Sequence, residues 1–168
     1  MNKIIPEQIV LIETAKWFVK RGCDLNSISI PRGKGYTGDI KSNLENELKD
    51  IGYDKKINYN PHGADIIAQN EDEIWKVECK GLGSGTTQTL RNNFDRALAS
   101  VVSYYTDDFQ GFKTYLGLAL PATSDYMSKL CHRVGKPLRR QLNLWILLYN
   151  PNTKMICFVA PDGDYDNK

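Results

Sequence analysis

At 168 residues, with 41% hydrophobic and 25% charged side chains, the chain has the length and make-up of one soluble globular domain able to bury a sizeable core. A net charge of +2 is too small to argue nucleic-acid binding by itself, so the distribution of charge must carry that argument. No apolar run nears the roughly 18 residues of a membrane helix, and the start lacks the features of a signal peptide. Four cysteines without C-x-x-C spacing, beside two histidines, argue against zinc and for reduced, buried thiols in a cytoplasmic protein.

In chain order, Pro6 to Arg21 reads as a helix with proline at its start and Gly22 at its stop. Its apolar residues cover most of the circumference, which predicts burial on several sides and a homodimer. Leu25 to Ile30 is a short strand. Pro31 to Gly38 is a glycine-rich loop whose Arg32 and Lys34 are candidates for touching a phosphate backbone. Asp39 caps a second helix that runs to Ile51 and stops at Gly52. In that helix Glu47 falls within the stripe of Ile40, Leu44, Leu48 and Ile51, where a glutamate must meet a cation or reach a cleft, making it a candidate third acid for a metal site.

Lys55 to Tyr59 gives a strand, and Asn60 to Gly63, with His62 as a turn residue, leads into two more strands. These are Gly63 to Gln69 and Ile74 to Lys80, joined over Asn70 to Glu73. With Gln69 facing Ile74, counting outward sets Asp65 directly opposite Glu78. Opposed residues on antiparallel strands project to one face with Cβ atoms roughly 4.5 to 5.5 Å apart. Period-two alternation adds Lys80 to that face and turns Val77 and Cys79 toward the core. Two opposed carboxylates repel unless a cation intervenes. Asp65, Glu78 and the backbone carbonyl of Cys79 are therefore candidate ligands for Mg2+ or Mn2+, with Lys80 orienting or deprotonating a nucleophile, as a phosphodiesterase requires.

Gly81 to Gly85 lacks the Gly-Lys-Ser/Thr of a nucleotide loop and reads as a connection. It opens a third helix, Thr86 to Tyr105, whose early Gln88 is a candidate for holding a water or phosphate oxygen. Phe112 to Leu120 is a buried strand, Ser124 to Lys136 a fourth helix, and Asn143 to Tyr149 with Lys154 to Ala160 a second hairpin. Lys129, His132, Arg133, Lys136, Arg139 and Arg140 come with no acid among them, the pattern of a phosphate-tracking surface. The tail from Asp162 is polar and expected to fray.

This order of parts, a helix with an inward glutamate, a strand, a Gly-x-Asp strand, a Glu-x-Lys strand, a helix and a strand, resembles the PD-(D/E)XK nuclease superfamily. The likeness spans about 39–120, leaving 1–38 as an N-terminal helical extension and 121–168 as a basic helix and hairpin in one nuclease-like domain. It implies an α/β restriction-endonuclease-like core, a mixed central sheet flanked by helices. By position it makes Asp65 and Glu78 metal ligands and Lys80 the residue that assists the attacking water, with Glu47 and Gln88 as accessory groups. Ala64 stands where the motif's proline would be. The expected activity is magnesium-dependent hydrolysis of DNA, in isolation or within a larger defence or DNA-processing complex. The alternatives are a catalytically inactive nucleic-acid-binding or assembly module of the same fold, and a small-molecule phosphoesterase.

Overall fold

The computed structural model describes residues 4–31, 39–105 and 111–165, so Arg32 and Lys34 lie outside the described residues. The elements are α1 (Glu7–Lys20), β1 (Asp24–Ile28), α2 (Ile40–Lys49), β2 (Asn58–Tyr59), β3 (Ile66–Gln69), β4 (Glu73–Cys79), α3 (Thr87–Ser103), β5 (Lys113–Pro121), α4 (Ser124–Arg133), α5 (Lys136–Leu142), β6 (Leu144–Asn150) and β7 (Met155–Val159). They build a mixed seven-stranded sheet in the order β2-β1-β3-β4-β5-β6-β7. β3 and β4 form an antiparallel hairpin, and α3 carries the chain across to β5, which runs parallel to β4. Among the described residues, no helix is long and apolar enough to cross a membrane.

Helices cover both faces of the sheet. On one, Phe18 and Trp17 of α1 meet Trp75 at ring-centroid distances of 5.3 and 6.3 Å, and Trp75 stacks on Tyr115 at 4.7 Å. On the other, α3 buries Phe94, Ala97 and Val101. The nearly all-round apolar surface of α1 is thus met within one chain, where Val10, Leu11, Thr14, Ala15 and Phe18 are buried, and it no longer argues for a second subunit. The expected thiol placement is half right: Cys23 and Cys79 are buried, but Cys131 and Cys157 are exposed.

Asp39 caps α2 as expected, accepting from the Ser42 N–H at 3.2 Å. The strand expected over Lys55–Tyr59 shrinks to the two residues of β2. A larger departure lies after α4. The fourth helix stops at Arg133, because Val134 and then Gly135 (ψ 161°) leave helical geometry, and a new helix starts with Pro137 in its first turn, where a missing N–H costs nothing.

That break rearranges the basic segment. Arg139 is buried rather than free for phosphate, donating to the carbonyls of Ala160 and Gly163 at 2.7 Å each and lying 4.5 Å over the Tyr165 ring. Arg133 pairs with Asp95, Arg140 with Asp162, and Lys136 with Asp164 at 2.7 Å. Such exposed pairs stabilise little, but each sets an acid beside a predicted phosphate contact. The same contacts overturn the frayed tail as far as Tyr165, whose hydroxyl also donates to the Val134 carbonyl at 2.8 Å. Arg139→Ala should therefore cost about 2 to 3 kcal/mol in urea denaturation, the scale of lost hydrogen bonds from a buried charged donor.

Candidate active site

The turn that closes the central hairpin fixes its register. Asn70 accepts through Oδ1 from the N–H groups of Asp72 and Glu73, and Gln69 pairs with Ile74, so Ile66 pairs with Val77 and Asp65 stands one residue beyond that last paired step. It is near enough for the Glu78 charge to act on it. Asp65 Oδ2 accepts from the Cys79 N–H at 2.7 Å, which holds its carboxylate across the end of β4.

The face is not the open notch that alternation alone suggests. α3 lies over it, leaving Glu78 only 6% exposed. Tyr104, just past the end of α3, directs its hydroxyl at Glu78 Oε2 (2.6 Å), with the Gly63 carbonyl oxygen at 3.2 Å. On the other side, Lys80 Nζ stands 3.4 Å from Glu78 Oε1 and 3.1 Å from Glu7 Oε2. Water reaches the cluster through the side chains of Lys80 (21% exposed) and Glu7 (17%). A cleft of about 410 Å3 that none of these four side chains lines runs between Leu82 to Thr87, the start of α3 and Asp125 of α4.

Glu7 belongs to the helix that the sequence sets outside the core. What brings it in is a two-residue antiparallel bridge: the Ile5 N–H donates to the Leu82 carbonyl at 2.8 Å and the Leu82 N–H to the Ile5 carbonyl at 2.7 Å. Gly81 permits the approach. A Cβ there would stand 2.4 Å from Glu7 N and from Ile5 O, closer than real atoms come. Tyr126 of α4 clamps the same point, donating to the Gly81 carbonyl at 2.7 Å. Gly81→Ala must push α1 off the strand exit, at about 1 to 3 kcal/mol in denaturation experiments, and should carry Glu7 away from Lys80.

Three carboxylates now face one amine. Burial and the neighbouring Glu78 charge raise the Asp65 pKa to about 7. Burial likewise raises Glu7, against the pull of Lys80. Burial works against a charged Lys80, but the carboxylates of Glu7, Glu78 and Asp65 outweigh it and hold the lysine pKa above its ordinary value. Lys80 is therefore a donor and a fixed positive charge near neutral pH, which favours the orienting side of its expected role. Burial and the bond to Glu78 keep the Tyr104 phenol protonated as well.

The accessory predictions do not join this cluster. Glu47 is exposed on α2 and pairs with Lys16 at 2.8 Å, so the cation it meets belongs to α1 and not to a metal site. Gln88 is exposed and donates to Asn92 Oδ1 at 2.8 Å. His62 is an exposed turn residue, as read, its N–H bonded to Asn60 Oδ1 at 3.1 Å. Sequence reasoning missed both Glu7 and Tyr104; a first-turn acid beside Pro6 is the only local signal for Glu7.

Among the described residues, no three His, Cys, Asp or Glu side chains converge into a ready-made metal cage. Magnesium asks for less, since one or two carboxylates suffice when waters and substrate phosphates complete its shell. Asp65 and Glu78 fit by kind, being hard oxygen donors on adjacent strands with an excess of negative charge around them. No protein-family model, curated protein or solved structure matches the chain.

Proposed function

We propose that the protein is a metal-dependent endonuclease of the PD-(D/E)XK type, with a restriction-endonuclease-like core, hydrolysing DNA phosphodiester bonds. The observation that carries this reading is the meeting of Asp65, Glu78 and Lys80 at the end of β4, with Asp65 lifted to about 7 by burial and by the neighbouring Glu78 carboxylate. The order of α2, the β3-β4 hairpin, α3 and the parallel β5 supports it.

Asp65, Glu78 and the Cys79 carbonyl would hold Mg2+ or Mn2+, which when bound polarises a phosphate and lowers the pKa of water. The chain's own residues supply the rest. Lys80, kept charged, donates to the nucleophilic water or to a phosphate oxygen in line with it. Glu7 fixes the ammonium from one side, and Tyr104 fixes the Glu78 carboxylate from the other. The Cys79 N–H orients Asp65.

The rival is a catalytically silent nucleic-acid-binding module of the same fold, and one observation favours it: both Glu78 oxygens already face internal donors, Tyr104 and Lys80. Supercoiled plasmid incubated with magnesium or manganese separates the two. Nicking or linearisation supports the enzyme, whereas plasmid retention without cleavage at either metal supports the module.

A further inference from the structure

β7 ends the sheet, paired on one side with β6 and on the other with no strand among the described residues. Its sequence, Met155-Ile156-Cys157-Phe158-Val159, carries no charge and no proline, and its pairing with β6 shows no bulge. These are the devices by which edge strands normally avoid pairing with other chains. Ile156 and Val159 are half-buried against the core, but each face also shows uncharged side chains to solvent, with Met155 62% exposed, Phe158 46% exposed and Cys157 exposed. Phe158 is nonetheless held in place, its ring 5.3 Å from Trp145 and 6.0 Å from Trp17.

We infer that β7 is a homodimer interface, in which two copies pair their β7 strands antiparallel about a two-fold axis through Cys157. The strand is its own complement in that register. Met155 faces the second copy's Val159, Ile156 faces its Phe158, and the two Cys157 side chains face each other. Every pair is apolar or uncharged, and each joins residues of the same sheet face, which side-chain alternation demands. Just outside the paired stretch, Lys154 comes beside the second copy's Ala160 to Asp162 turn, setting a lysine near an aspartate at each end. An isologous contact of this kind closes on itself, so it ends at two copies and leaves no new edge.

This pairing is independent of the nuclease reading. Antiparallel β7 strands put the two carboxylate clusters at opposite ends of a continuous sheet, with the two β4 strands roughly 34 Å apart across it by ordinary strand spacing. Such a dimer joins two separate sites and does not merge them.

Light scattering at high micromolar concentration should give twice the monomer mass. Met155→Lys and Phe158→Lys should each return the monomer with unchanged circular dichroism; Met155 is the more exposed, so its variant serves where Phe158→Lys loses its fold. A short bismaleimide should trap the dimer of a Cys131→Ser variant and fail to trap Cys131→Ser/Cys157→Ser. A wild-type monomer at that concentration overturns the inference and leaves β7 for a strand of another protein. A dimer that survives both lysine substitutions overturns it equally, because its contact then lies elsewhere.

Discussion

Glu78→Ala and Lys80→Ala should each lower magnesium-dependent plasmid cleavage at least about 100-fold, the usual loss when a group that meets developing charge is removed. The two fail for different reasons. Glu78→Ala takes away one of two hard ligands on neighbouring strands, so excess metal should recover part of the rate. Lys80→Ala leaves the ligands intact and removes the ammonium that Glu7 and Glu78 hold in place, so added metal should recover none. Glu7→Gln keeps the shape but not the charge that steadies Lys80, and a loss of about 10- to 100-fold is expected, as for partners that orient a metal site's groups. Glu47→Ala and Gln88→Ala should cleave as wild type, since both side chains are engaged away from the cluster. Equal activity in all five variants would remove the cluster from the chemistry.

Asp65→Asn should stabilise the metal-free protein at pH 8 and leave it unchanged near pH 4. The unfolded aspartate ionises near 3.8, but in the fold its pKa is raised to about 7, chiefly by burial and then by Glu78. The wild type therefore has its full stability below the unfolded value. It loses stability as the pH rises through the folded value, by at most about 4 kcal/mol once Asp65 is ionised. Asparagine never ionises, and its side-chain oxygen can still accept from the Cys79 N–H, so the variant avoids that loss. Urea midpoints at the two pH values read the difference directly. Magnesium at pH 8 should narrow the gap by stabilising only the wild type; a variant less stable than wild type at pH 8 would show that Asp65 is held as a structural carboxylate.

The hairpin was legible because a tight turn fixes parity as far as Ile66 and Val77, and the Cys79 N–H holds Asp65 just beyond that last pair. Helix starts were legible for a similar local reason, with Pro6, Asp39 and Thr86 each declaring an N-terminus. What sequence missed depends on meetings between distant stretches. Glu47 looked inward on its own helix, but α2 packs against α1 and finds Lys16 there. Glu7 carried no inward signal, and only the Ile5–Leu82 bridge brings it to Lys80. The basic run from Lys129 to Arg140 contains no acid within itself, but folding delivers Asp95, Asp162 and Asp164 from elsewhere and buries Arg139. Charge counted along the chain is not charge counted on a surface.

The bridge between Ile5 and Leu82 also orders events during synthesis. α1 leaves the ribosome long before Leu82 exists, and its first-turn glutamate then has no ammonium to face. Joining the two closes a long loop, which comes slowly in folding because the entropy of closure precedes the reward of contact. A nascent chain thus keeps Glu7 apart from Lys80 until the central strands are in place, and the assembled cluster belongs to the finished protein alone.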